Sequence, residues 1–123
     1  LSYAKENKLP VALIRNAASS WVAPSLESVT AAAAGAAAKL PANTDYSISI
    51  VNAPGKNEYP ISSFTWILVY EHPKDAAKGK ALTAFLKWAY ANGESVASSL
   101  DYSPLPKAMV TRLDARLNAL GGR

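Results

Sequence analysis

The residues that could carry out acid–base or metal chemistry are few in this sequence and stand far apart. His72 is the single histidine among 123 residues, and it precedes Pro73 in a polar turn with no nucleophile motif beside it. The nine acidic residues occur singly, without the close pairs that acid–base or metal sites use. Cysteine is absent, which excludes thiolate catalysis and cysteine-bound zinc. We therefore expect no catalytic residue, no metal site, no cofactor and no enzymatic activity, and we interpret His72 as a surface turn residue.

Anion binding has one weak sequence signal. Residues 52–56 (NAPGK) place a glycine and a lysine in a turn, and backbone N–H groups in turns or at helix N-termini can hold phosphate. Neither a P-loop nor a dinucleotide fingerprint is present, so the sequence favours a simple β-turn here. Trp21, Trp66 and Trp88 are expected to be core or packing residues, because indole rings bury a large apolar area.

Composition and charge narrow the class of protein. Half of the residues are hydrophobic and 18% are charged, which is typical of a soluble globular protein. The 13 basic residues are dispersed, although they give a net charge of +4, so we expect no nucleic-acid partner. No run approaches 18 consecutive apolar residues, so we expect no membrane-spanning segment.

Local patterns predict several helices. Residues 3–8 are expected to be the end of one helix, and Pro24 with the cap Ser25 opens another that runs to about residue 38. Residues 75–91 predict a third helix before the stop at Asn92-Gly93, and residues 94–100 predict a shorter one. A last helix follows Pro106 and ends at Gly121-Gly122. The apolar faces of the third and last helices are Leu82, Phe85, Leu86 and Ala89, and Met109, Val110, Leu113, Leu117 and Leu120.

Three segments predict strands. Residues 10–15 (PVALIR) form a short apolar run before a polar turn at residues 16–20. Residues 46–51 (YSISIV) alternate between polar and apolar types, as in a strand with one buried face. Residues 64–70 (FTWILVY) are almost continuously apolar or β-branched, which is typical of a strand covered on both faces in an α/β sheet. This last segment is the best candidate for a central strand.

Three longer segments resemble a known family, the periplasmic phosphate-binding proteins of ABC-type phosphate importers. They are residues 24–35 (PSLESVTAAAAG), 52–69 (NAPGKNEYPISSFTWILV) and 81–106 (ALTAFLKWAYANGESVASSLDYSPLP), in the family's order and spacing. The opening LSYAKENKLPVALIRN is similar to the family's segment just past mid-chain. Since Leu1 is not preceded by an initiator Met or a leader, we expect the sequence to be the C-terminal portion of such a receptor.

The resemblance implies an α/β protein with part of the type II periplasmic-binding-protein fold, a C-terminal half with a mixed sheet and flanking helices. Residues 1–60 would be the remainder of the second lobe. Residues 61–123 would be the return crossing strand and the C-terminal helices, which would pack on the first lobe. The family's phosphate ligands belong to motifs with no counterpart in this sequence, so we expect no phosphate-binding residue in this chain. Ser62, Ser63 and Thr65 lie near the expected crossing and are candidates for the rim of the phosphate cleft.

The resemblance also implies partners and a compartment. The implied protein partners are the N-terminal half of the same receptor or a self-associated copy, and an ABC permease. Inorganic phosphate would bind only when that half is present. The implied compartment is the periplasm, or the protein is secreted. An alternative function remains, that of a stand-alone interaction or inhibitory module that reuses this fold. A monodisperse, cooperatively folding monomer would favour the alternative.

Overall fold

The computed structural model describes residues 2–121, and most of its regular structure is helical. In chain order the elements are α1 (Ser2–Glu6), β1 (Ile14–Arg15), β2 (Trp21–Val22), α2 (Leu26–Ala37), α3 (Ala76–Asn92), α4 (Glu94–Ala97), a 3₁₀ turn (Ser98–Leu100) and α5 (Lys107–Gly121). All predicted helices are present, and a two-stranded sheet accompanies them. This mixed content is compatible with the α/β class. Gly122, half of the predicted final stop, lies outside the described residues.

Helix α2 begins where its sequence predicts, because its first turn satisfies its own backbone donors. The Ser25 hydroxyl accepts a hydrogen bond from the Ser28 amide (3.1 Å), and the Ser28 hydroxyl accepts one from the Ser25 amide (3.0 Å). This reciprocal pair is a capping box. The Ser28 hydroxyl also donates to the Ala23 carbonyl at 2.8 Å, which fixes the direction from which the chain enters the helix.

The predicted first strand shortens to a two-residue strand in a tight hairpin. Ile14 pairs with Val22 and Arg15 with Trp21 in antiparallel register, so β2 is a strand that the sequence pattern did not predict. The turn between the strands is closed by hydrogen bonds from the Asn16 amide to the Ser20 carbonyl and from the Ser19 amide to the Asn16 carbonyl, each 2.9 Å. The polar turn at residues 16–20 is therefore confirmed.

The core is small and is built around the alanine face of α2. Ala32 and Ala36 pack with Ile50, which is 2% exposed, and Phe64 lies against this cluster. A second cluster joins Ala37 and Leu40 to Met109 of α5. Alanine side chains let a neighbouring backbone come close to the helix, as the sequence predicted, but each buries little apolar area. The core is thus tightly packed but limited in extent.

Helix α3 packs on α5, but only part of its predicted apolar face is buried. Thr83 and Leu86 are buried, whereas Leu82 and Phe85 are 41% and 58% exposed. Leu82 and Phe85 therefore leave part of the predicted apolar face uncovered. Trp88 stacks on Phe85 with ring centroids 6.2 Å apart and is itself 61% exposed. No element of residues 2–121 covers this side of α3.

The predicted strand at residues 46–51 keeps its alternation without joining a sheet. Tyr46, Ile48 and Ile50 point inward while Ser47 and Ser49 are exposed, so the period of two is present in the burial pattern. The assigned sheet holds β1 and β2 alone within the described part of the chain. A strand needs a neighbour to satisfy its backbone groups, and none is supplied to this segment by residues 2–121.

The predicted central strand at residues 64–70 is not formed. The segment has no strand assignment, and Ile67, Leu68 and Tyr70 are 62%, 94% and 86% exposed. The expectation of a strand covered on both faces is wrong for the chain by itself, because no strand or helix of the described residues lies over it. The expectation that tryptophans pack in the core is wrong for the same reason, since Trp21, Trp66 and Trp88 are all largely exposed.

None of the helices in residues 2–121 combines the length and the apolar character that crossing a membrane requires.

Candidate functional site

An open cleft of about 1340 Å³ lies between α2 and the two extended segments. One wall is the Leu26, Val29 and Ala33 side of α2, and another is formed by residues 45–50, Ile61 and residues 63–68. Tyr90 of α3, the loop at residues 101–105 and Met109 of α5 complete the lining. The walls are mainly apolar, which is typical of a surface that receives another apolar surface or a ligand.

The charges in this cleft are negative. Asp45 and Asp101 line it, and no lysine, arginine or histidine does, although Lys5 next to the lining forms an ion pair with Asp101. The Ser47 hydroxyl, followed by its amide, holds the pKa of Asp45 below its ordinary value of 3.8, so this carboxylate is ionised at neutral pH. Burial, followed by the nearby Glu94, raises the pKa of Tyr90, which therefore stays protonated. A dehydrated oxyanion needs several convergent donors, and this lining contains no basic side chain to supply them.

The N-terminus of α2 borders the cleft, and part of its hydrogen-bonding capacity is already used. The capping box occupies the Ser28 amide, and Glu27 stands in the first helical turn. A hydrogen bond from its own backbone amide, followed by one from Ser25, lowers the pKa of Glu27 from 4.5. A carboxylate is thus already seated at the positive end of the helix, where an anionic ligand would bind.

The arginines of α5 are also engaged. Arg112 donates to the carbonyls of Ala37 (3.4 Å), Leu40 (2.8 Å) and Pro41, and so caps the C-terminal end of α2. Arg116 forms an ion pair with Glu71. Both arginines line a smaller hollow near Leu40, but their hydrogen-bonding groups point to partners within the chain.

The turn at residues 52–56 is organised by a carboxylate rather than prepared for an anion. Glu58 is buried, and its carboxylate accepts a hydrogen bond from the Gly55 amide at 2.6 Å. The same carboxylate lies so close to α2 that a Cβ added at Gly35 would be 2.5 Å from its Oε1 atom. The amide of Gly55 is therefore not free to bind phosphate, which supports the interpretation of this segment as a simple turn.

Asn16 fastens that turn to the hairpin. Its buried side-chain Nδ2 lies 3.0 Å from the carbonyl oxygens of Gly55 and Lys56 and 3.1 Å from that of Glu58. Its Oδ1 accepts hydrogen bonds from the amides of Ala18 (3.1 Å) and Ser20 (3.0 Å). One side chain thus joins two loops about 40 residues apart in sequence.

The candidate rim residues differ in their surroundings. Ser62 is buried and donates to the Tyr59 carbonyl at 2.8 Å, whereas the exposed Ser63 donates to the Phe64 carbonyl at 3.2 Å. Ser63 and Thr65 line the large cleft, but Ser62 is not part of its lining. The structure brings two of the three together, and a role for them at a phosphate site stays a prediction.

The remaining chemistry-bearing residues are dispersed. His72 is exposed in a bend between residue 70 and α3, as predicted. Within residues 2–121 no three histidine or acidic side chains cluster closely enough to hold a metal ion.

Sequence reasoning missed Asn16 and Arg112, the two side chains that tie distant segments together. It treated the first as a generic turn residue and the second as a dispersed surface charge. The available signals were an asparagine at the start of a turn and an arginine one position before Leu113 in the apolar stripe of α5.

Comparison with known proteins gives several related sequences. No family model matches the chain. Phosphate-binding protein PstS of Xylella fastidiosa strain Temecula1 is 40% identical over 115 residues, which are 94% of this chain and 31% of the relative. The protein of that name from Pasteurella multocida is 33% identical over 94% of this chain and 33% of its own length. The one from Methanocaldococcus jannaschii is 38% identical over 76% of this chain and 26% of its own.

The chain therefore spans about a third of the length of the curated relatives that it matches. These relatives are named as binding proteins and not as enzymes, in agreement with the expectation of a non-enzymatic chain. Three stretches of the sequence suggested this family, and the match extends over almost the whole chain. The resemblance is thereby confirmed: this chain is PstS-like, homologous to part of a phosphate-binding protein.

Proposed function

We propose that this chain is the C-terminal portion of a receptor for ABC-type import of inorganic phosphate, and that it supplies scaffold rather than phosphate ligands. The relatives named phosphate-binding protein PstS support the receptor, and the chemistry of the cleft supports the scaffold role. Asp45 and Asp101 line the cleft, Asp101 as the partner of Lys5 in an ion pair, and no basic side chain belongs to the lining itself. This lining is the observation that carries the proposal, because an anion held there would meet the Asp45 carboxylate and an Asp101 already paired with Lys5, and no basic side chain of the lining would hold it.

The candidate donors of the chain support the same assignment. The Ser28 amide at the N-terminus of α2, the Gly55 amide and Arg112 are each hydrogen-bonded to a group of the chain itself. A phosphate ion could bind to any of them only by displacing an internal partner. The groups that hold phosphate would then belong to the part of the receptor that corresponds to the remaining length of the relatives.

The proposed receptor has a type II periplasmic-binding-protein fold, with residues 1–60 completing one lobe and residues 61–123 returning to the other. It works in the periplasm or as a secreted protein and delivers phosphate to an ABC permease. The exposed apolar residues of segment 64–70 and of α3 support a partner surface, since a monomer rarely leaves such residues side by side in water.

A chimeric receptor tests this function. The part of the Xylella fastidiosa relative that matches this chain is replaced by the 123 residues, and phosphate binding is measured by calorimetry. We expect the chimera to bind phosphate within about tenfold of the parent's affinity, since a change that leaves every ligand in place costs about 1.4 kcal/mol or less. A folded chimera that does not bind phosphate would contradict the proposal.

The rim candidates are tested in the same chimera. If Ser63 and Thr65 only border the site, Ser63→Ala and Thr65→Val lower the affinity by less than about tenfold, whereas loss of a hydrogen bond to a charged ligand costs more. A larger loss with unchanged thermal stability would make either residue a ligand. It would also contradict the claim that this chain supplies no ligand.

A further inference from the structure

The two parts of the chain that meet at residue 60 are joined by side chains and not by backbone pairs. No backbone–backbone hydrogen bond connects residues 2–60 with residues 61–121, and the sheet assigned in this range lies within residues 14–22. Each hydrogen bond that crosses from one part to the other has a side chain at one end or at both. Elements that are packed in this way can slide past one another by small steps, which a shared backbone ladder would prevent.

The first turns of helix α5 are anchored on the earlier part of the chain. Met109 packs with Ala37 and Leu40 in one core cluster. The Arg112 guanidinium donates hydrogen bonds to three carbonyls at the C-terminal end of α2, and the Tyr46 hydroxyl donates to the Arg112 carbonyl at 3.1 Å. Hydrogen bonds from a charged donor are stronger than neutral ones, so Arg112 is the main polar anchor on this side.

The last turns of α5 are anchored on the later part of the chain. Arg116 forms its ion pair with Glu71, and Asn118 accepts a hydrogen bond from Lys87 of α3. Leu117, between these two positions, is buried. The helix has 15 residues, which makes it about 22 Å long, and it does not stretch as an extended segment would. It therefore sets a fixed span between an anchor on one part and an anchor on the other.

We propose that α5 is a strap across the two lobes of the receptor, and that its Arg112 anchor limits how far the phosphate cleft opens. The inference rests on the proposed function, which assigns residues 1–60 and residues 61–123 to different lobes. A ligand that is held between two lobes enters when they separate, and a strap anchored on both restrains that separation. The restrained receptor has fewer open conformations to lose when phosphate closes it, so its affinity is higher. Arg112 is thus a positioning residue that acts without touching phosphate.

Distances between two spin labels test the strap in the chimeric receptor described above. The chain contains no cysteine, and Asn57 and Lys80 are exposed, so Asn57→Cys and Lys80→Cys place one label on each part. Any cysteine in the relative's part is replaced by serine. In the phosphate-free receptor, Arg112→Ala should lengthen the mean distance between the labels, measured by pulsed electron paramagnetic resonance, by at least about 2 Å. With phosphate bound, the distances with and without Arg112→Ala should coincide.

Arg116→Ala is the matched control, because Arg116 lies one turn later on the same helix and its ion pair stays within residues 61–121. It should leave the distance between the labels unchanged. Arg112→Ala should also weaken phosphate binding by about fivefold or more, whereas Arg116→Ala should weaken it by less than about twofold. Tyr46→Phe removes a single crossing hydrogen bond, so it should act in the same direction as Arg112→Ala by a smaller amount, and it serves if Arg112→Ala does not fold.

The outcomes separate the strap from the proposed function. Phosphate binding together with equal label distances in Arg112→Ala and Arg116→Ala would overturn the strap and leave the function intact. A lengthening that persists unchanged in the phosphate-saturated receptor would also overturn it, because the anchor would then shape the fold instead of limiting its opening. A chimera that binds no phosphate but lengthens in Arg112→Ala alone would support the strap and contradict the function.

Discussion

Replacing Asn16 with alanine removes a buried amide that makes hydrogen bonds at both ends. Its Nδ2 carries two hydrogens and lies near three carbonyl oxygens, and its Oδ1 accepts from two backbone amides. Four hydrogen bonds at about 1 kcal/mol each give an upper value of about 4 kcal/mol. Lys56 is exposed, so water can reach part of the vacated site. We therefore expect Asn16→Ala to lower the free energy of unfolding by about 2 to 4 kcal/mol.

The assay is urea unfolding of the isolated chain, followed by circular dichroism. The matched control is Asn57→Ala in the same loop, because Asn57 is exposed and its side chain makes no hydrogen bond within residues 2–121. We expect the control to change stability by less than about 0.5 kcal/mol. The reasoning is refuted if Asn16→Ala and Asn57→Ala have the same small effect, since the joined loops would then contribute nothing to stability.

Three further predictions concern the other internal contacts. Gly35→Ala should destabilise the chain by about 1 kcal/mol or more, because the new Cβ meets the buried Glu58 carboxylate. In a Glu58→Ala background the same change should stabilise by up to about 1 kcal/mol through helix propensity. Urea unfolding of the four proteins measures both effects, and additive effects would contradict the prediction. Arg112→Lys should lower the free energy of unfolding by about 1 to 2 kcal/mol, because one ammonium cannot reach three carbonyls. The control Arg116→Lys, in an exposed ion pair, should leave the free energy of unfolding nearly unchanged. Equal losses of stability on urea unfolding would argue against the cap. Because the pKa of Glu27 is lowered in the folded chain, the stability contributed by its carboxylate is present above pH 4.5 and is lost as the pH falls through the folded-state value. The melting temperature should therefore decline less on acidification in Glu27→Gln than in the unchanged chain. Parallel curves of melting temperature against pH would refute this.

The helices could be predicted from sequence because their signals are local. Ser25 and Asp75 cap α2 and α3 as their residue types favour, and Pro106 precedes the last helix. Each of these signals acts within a turn or two of the chain. The helix boundaries therefore depend little on what the rest of the molecule does.

The strands could not be placed in a sheet, because a sheet depends on neighbours that are distant in sequence. Residues 46–51 and 64–70 have strand composition, but residues 2–121 provide no partner for either of them. The exposed Phe85 and Trp88 have the same physical cause, a surface without cover. Sequence pattern describes what a segment needs, and here the chain by itself does not meet that need.

For the site, residue types alone give expectations of absence, whereas the contacts require the structure. Scattered acids and a lone His72 indicated no catalytic centre, a conclusion that needs residue types alone. The roles of Asn16 and Arg112 depend on partners about 40 and 70 residues away, and no local pattern encodes such pairings. These two contacts could be recognised only once the loops had been positioned.

Calorimetric titration of the isolated 123-residue chain with inorganic phosphate tests the scaffold claim most directly. The lining of the cleft, with Asp45 and Asp101 and no basic side chain, predicts no binding heat up to millimolar phosphate at neutral pH. A single-site isotherm in the micromolar range or tighter would contradict the claim, because the chain would then hold phosphate with its own donors.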